Sequence, residues 1–128
     1  AYRPGDGASS AMTGAALLCL YLIGADARPE VMPATQYLLE KPITNDTRFW
    51  YYSTYYTTQA AFQAGGKTWT TVWQRNSESL MRLQRNDGSW PSKKEELGRG
   101  DARGRFYATA MSVLTLSVPL RLLPIYQR

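Results

Sequence analysis

The apolar residues of this chain fall into five helix-length stretches that alternate between two patterns, and the alternation limits its folds more than any other feature. Residues 9–23 are dense in Ala, Leu and Met and apolar nearly all the way round, with Asp6 or Ser9 available as the cap and Gly24 as the stop. Such a helix is normally enclosed by others on several sides. Residues 28–40 differ: Pro29 falls in the first turn, and Val31, Ala34, Tyr37 and Leu38 make one stripe, as on an outer helix with a single packed side. Pro42 ends it. Residues 46–63 return to the buried character with aromatics, until Gly65 and Gly66 break the pattern. Residues 67–84 are striped again, with Trp69, Val72, Trp73, Leu80 and Leu83 packed and Arg75, Glu78 and Arg82 facing water. After a charged loop at about 86–104, the apolar core 106–118 closes the series, and Pro119 bends or ends it.

Enclosed and striped helices in alternation are the mark of helical hairpins stacked in two layers. The enclosed segments align as "TGAALL", "TQAAFQ" and "TAMSVL", whose leading residues Thr13, Thr58 and Thr109 stand 45 and 51 residues apart, an interval that suits one helical pair per repeat. At 128 residues the chain supports one core and one domain. No uncharged apolar run reaches the roughly 18 residues a bilayer span needs; the nearest, residues 11–25, is too short and reads as a buried helix. A single cysteine, Cys19 in "ALLCLYL", excludes an internal disulfide and is expected to be a buried thiol. The chain has no histidine, which removes Ser-His and Cys-His catalysis and leaves no zinc site. The net charge of +5 is spread over interleaved acids and bases, as on a solvated face, so no nucleic-acid partner is expected.

The stretch "LMRLQRNDGSW", residues 80–90, resembles the QW motif of squalene-hopene and oxidosqualene cyclases, in which an apolar helix end is followed by Gln, a few polar residues, Gly, any residue and Trp. Gln84, Gly88 and Trp90 carry the likeness. The opening "AYRPGDG" looks like the tail of a preceding turn of this kind, and the closing "YATAMSVLTLSVPLRLLPIY" resembles the final inner helix of the prenyltransferase and squalene-cyclase repeat family, including its bacterial members. The resemblance implies an α/α toroid: inner helices around an axis, outer helices around them, and QW turns joining the repeats. A complete toroid needs roughly twice five helices, so the chain is expected to be the C-terminal part of one, lying within a single domain over residues 1–128. In the expected turn, Asp87 and Gly88 let the chain fold back, the Gln84 amide satisfies orphan groups at a neighbouring helix end, and the Trp90 ring covers that amide.

The chemistry known for this family lacks its residues here. The chain has no "DxDD" acid motif of the cyclases, no histidine for the zinc of the prenyltransferases, and no Cys-Gly-Glu-Gln run of the complement thioester domains. No catalytic residue, cofactor or metal is therefore assigned. What remains is an aromatic face: Tyr52, Tyr55, Tyr56, Gln59 and Phe62 share one side of their helix by spacing. Rings of this kind commonly fill a core. In a cyclase-like cavity they would instead bind an isoprenoid or lipid and stabilise a carbocation. Arg103 and Arg105 stand where a pocket mouth would meet an anion, although a surface role is the simpler one. The Arg-Gly-Asp run at 99–101 is a common triplet in a charged loop. Two readings follow: a non-catalytic binding or interaction module that docks on further repeats or on itself, or part of a terpene-cyclase-like enzyme whose acid lies elsewhere.

Overall fold

Each expected helix forms, and caps decide where it starts and stops. The computed structural model describes residue 5, residues 7–93 and residues 102–122. Within them the chain is all-α, with no strand: α1 (Ser10–Leu22), α2 (Val31–Glu40), α3 (Trp50–Ala64), α4 (Gly66–Leu83) and α5 (Ala102–Leu116), then a 3₁₀ turn at Val118–Leu120. Most of the "AYRPGDG" start and all of the Arg-Gly-Asp run lie outside the described residues.

Ser9 caps α1, its Oγ accepting from the Met12 N–H at 3.4 Å. At the other end Gly24 takes φ 72°, and the N–H groups of Gly24 and Ala25 donate to the carbonyls of Tyr21 and Leu20, which would otherwise be orphaned. α2 begins at Val31, three residues later than expected, because 28–30 form a turn in which the Val31 N–H donates to the Arg28 carbonyl. Pro33, not Pro29, occupies its first turn, where a missing N–H is tolerated. α3 begins at Trp50 instead of residue 46, since Phe49 adopts left-handed backbone at φ 53° and a helix cannot run through it. α5 begins at Ala102, which places Arg103 and Arg105 inside its first turn and not in the loop before it. It ends at Leu116, and Pro119 falls within the 3₁₀ turn.

α3 is the central helix and packs on all four others, most extensively on α1. Gly14 explains how near the two come: a Cβ there would lie 2.8 Å from the Thr57 backbone nitrogen. One apolar cluster joins Leu17 and Leu18 of α1, Val31 and Leu38 of α2, Ala60 and Ala61 of α3, and Val72 of α4. A second joins Trp50 and Tyr51 at the start of α3, Leu80 near the end of α4, Trp90, and Ala108 of α5.

These contacts also give directions. Gly14 meets Thr57 while Leu17 and Leu18 cluster with Ala60 and Ala61, so α1 and α3 run parallel. Ala108 clusters with Tyr51, and Arg121 beyond α5 lies over Phe62 near the end of α3, so α5 runs the same way. α4 runs opposite, because its early Trp69 meets Phe62 while its late Leu80 meets the start of α3.

Neither α1 nor α5 is enclosed, which corrects the expectation for both. α1 buries Ala11, Gly14, Leu17 and Leu18 and leaves Ala16 and Cys19 exposed on the opposite side, with its capping residue Ile23. Cys19 is thus exposed, because the residues that hold α1 to its neighbours lie about half a turn away from it. α5 buries Gly104, Ala108, Ser112 and Thr115 and leaves Phe106, Ala110, Val113 and Leu114 exposed.

Candidate functional site

The polar side of α3 is fixed by α4. Asn76 Nδ2 lies 3.1 Å from Thr57 Oγ1 and 2.9 Å from Thr58 Oγ1, and the threonine hydroxyls donate in turn to carbonyls one turn back in α3. Asn76 is buried and sits within the striped series between Val72 and Leu80. That position is the signal by which it was findable in the sequence, since an amide on a packed stripe needs partners.

On the opposite side of α3 lie Tyr52, Tyr55, Tyr56 and Gln59, at i, i+3, i+4 and i+7. The structure brings the three tyrosines together: the rings of Tyr52 and Tyr56 are 4.4 Å apart, and those of Tyr55 and Tyr56 meet edge to face at 5.1 Å. All three are half-buried. Gln59, one turn on, is 0% exposed, and neither polar atom of its amide has a hydrogen-bond partner. A buried amide left so costs about 1–3 kcal/mol for each unmet group. Phe62 makes its ring contacts elsewhere: it meets Trp69 edge to face at 5.1 Å, and the Arg121 guanidinium lies 5.5 Å from its ring centre. Arg103 and Arg105 are exposed on the first turn of α5.

The turn after α4 divides its work differently from the expected clasp. Gln84 is exposed, and its Nε2 donates to the Gly88 carbonyl at 3.1 Å, within the turn and not at a neighbouring helix. Trp90 is the buried member, whereas Gln84, which it was expected to cover, is exposed. Its Nε1–H donates to the Leu80 carbonyl at 2.8 Å, one of the carbonyls orphaned at the end of α4. Its backbone N–H donates to Thr109 Oγ1 of α5 at 3.1 Å, and the next residue, Pro91, accepts from the Tyr51 hydroxyl of α3 at 2.7 Å. Two adjacent residues thereby tie three helices.

Gly88, at φ 81°, lets the chain reverse. Asp87 Oδ1 accepts from both the hydroxyl and the backbone N–H of Ser89, and these bonds, the hydroxyl first, lower its pKa from the ordinary carboxylate value. An exposed, ionised turn residue is no reservoir of protons for acid catalysis.

Arg75, expected to face water, is half-buried. Its Nη1 and Nη2 donate to the carbonyls of Leu39 and Leu38 at 2.8 and 2.7 Å, capping the end of α2. Burial lowers the guanidinium pKa from its ordinary value. Among the described residues no three His, Cys, Asp or Glu side chains converge as a metal site, and no helix is long and apolar enough to cross a membrane. No protein-family model, curated protein or solved structure matches the chain.

Proposed function

We propose that the chain is a non-catalytic binding or interaction module built of helical repeats of the prenyltransferase and squalene-cyclase type. In this reading it is part of an α/α toroid, with α1, α3 and α5 as the inner row, α2 and α4 as the outer one, and residues 84–90 as a QW turn. The observation that carries it is the pair of open apolar edges: Ile23, which caps α1, is exposed at 75% beyond exposed Ala16 and Cys19, and α5 exposes Phe106 at 76% and Val113 at 51%, each on the side turned away from its packed neighbours. Apolar stripes on two helices of one molecule mark surfaces that other helices cover. Those helices belong to further repeats or to another copy of the chain. A solvatochromic apolar dye tests this. The chain binds dye strongly when dilute and less as concentration rises and the edges are covered; a dye-silent monomer at every concentration contradicts it.

A second reading is favoured by one specific feature, the tyrosine cluster beside the unpartnered amide of Gln59. In it the tyrosine face binds an isoprenoid, as part of a terpene-cyclase-like enzyme whose acid comes from outside this chain. Thermal-shift titration with squalene and with farnesyl diphosphate separates the two. Stabilisation at saturating ligand, lost in Tyr56→Ala, supports the enzyme reading, and no shift with either ligand counts against it.

A further inference from the structure

At Gln59 the fold gives up stability, because a fully buried amide there meets no partner. We propose that the groove between α1 and α5, floored by the tyrosine face of α3, binds an uncharged, largely apolar molecule whose one head group, a hydroxyl or a carboxamide, both donates to and accepts from the Gln59 amide. The inference rests on the tyrosine-face reading only in that a ligand binds there, and it describes that ligand by its head group.

Position is the first argument. α1 and α5 both pack on α3 and make no extensive contact with each other. α1 meets α3 at Tyr56, Thr57 and Ala60, α5 meets it at Tyr51, and Asn76 of α4 holds it at Thr57 and Thr58. At about 3.6 residues per turn, Tyr52, Tyr55 and Gln59 fall between the Tyr51 side and the Tyr56 side, in the gap those two helices leave. The tyrosine rings are half-buried, and the amide beneath them is 0% exposed. Turning a ring about its own side-chain bonds uncovers the amide without moving a helix.

Chemistry is the second. Buried polar groups are normally hydrogen-bonded, so an amide with both Nε2 and Oε1 unmet points to a partner from outside the chain. Ser112 and Thr115, which α5 buries, already donate to carbonyls of their own helix, as Thr57 and Thr58 do in α3. A head group that is donor and acceptor at once answers both amide atoms, and a bare hydrocarbon answers neither. Residues 10–23, 50–66 and 106–120 carry no charged side chain, so a charged head buried among these helices would stand unpaired. Arg121, beyond α5, is turned onto the Phe62 ring. A sugar, with hydroxyls on every side, would leave most of them unmet.

Dodecanol, dodecanamide, dodecane and dodecanoate share one chain and differ in head group. Titrated into the full chain and followed by tyrosine and tryptophan fluorescence, the better of the alcohol and the amide is expected to bind roughly ten-fold or more tightly than dodecane and dodecanoate. Gln59→Leu keeps the bulk of the side chain without its polar atoms, and it is expected to erase that preference while native helicity persists by circular dichroism. The wild-type ranking of the four probes is a test whether or not the variant folds. Equal binding of dodecane, tighter binding of dodecanoate, or a preference that survives in folded Gln59→Leu overturns the head-group assignment and leaves the tyrosine-face reading standing. Binding of none of the four overturns it as well, and titration with squalene and farnesyl diphosphate then decides separately whether the tyrosine face binds a ligand at all.

Discussion

Trp90 shows how much one side chain carries here. It is buried against Trp50, Tyr51, Leu80 and Ala108 and satisfies one of the carbonyls orphaned at the end of α4 through its indole N–H. Trp90→Ala is expected to cost about 3–5 kcal/mol, the range for deleting a large buried aromatic, and chemical denaturation measures it. Trp90→Phe keeps most of the packing and loses the bond to the Leu80 carbonyl, at about 1 kcal/mol. Gln84→Ala is expected to change little, because Gln84 is exposed and bonds only within its own turn. Gln59 has the opposite character. With both amide atoms unmet in a fully buried setting, Gln59→Leu is expected to raise stability by about 1–3 kcal/mol, and a lowered melting temperature would show that the amide has a partner such as ordered water. Asp87 sets the pH behaviour of the turn. Its folded pKa is depressed, so its contribution is present above the ordinary carboxylate value and is lost only as pH falls through the lowered one.

At the scale of helices, Gly14 marks a place where α1 comes up against the α3 backbone. Gly14→Ala places a methyl group 2.8 Å from the Thr57 nitrogen and 2.9 Å from the Tyr56 carbonyl carbon, neither of which can step aside. Overpacking of this kind costs about 1–3 kcal/mol, and a reduced urea midpoint is expected. Arg75→Lys replaces a fork that reaches two carbonyls with a point donor, so α2 should fray at its end; faster hydrogen exchange of the Tyr37 to Lys41 amides is the measurement. The five helices were legible in the sequence because stripes and caps are local properties. Their packing partners were not. Arg75 follows the polar rhythm of α4, and only the arrival of the α2 C-terminus beside it turns a solvent-facing position into a cap. Cys19 was misplaced for the same reason: an all-apolar helix gives no internal sign of which side is turned outward. The tyrosine face was legible from spacing, whereas the separate contacts of Phe62 depend on where α4 and Arg121 lie.

For the molecule as a whole, the central feature is a row of three parallel helices packed through α3, with apolar side chains left uncovered at both ends. Its interior is held by polar ties as well as apolar clusters, among them the Asn76 bonds between α3 and α4 and the Trp90–Pro91 ties among α3, α4 and α5. Those ties fix the row internally and leave its open edges as the surfaces available to partners. Sedimentation equilibrium of the full chain over a hundredfold concentration range is the most direct test, with Val113→Glu on the α5 edge measured alongside. The open-edged row predicts that wild type associates and that the charged variant is monomeric with unchanged helicity. A wild-type chain that stays monomeric throughout, indistinguishable from Val113→Glu, would contradict it.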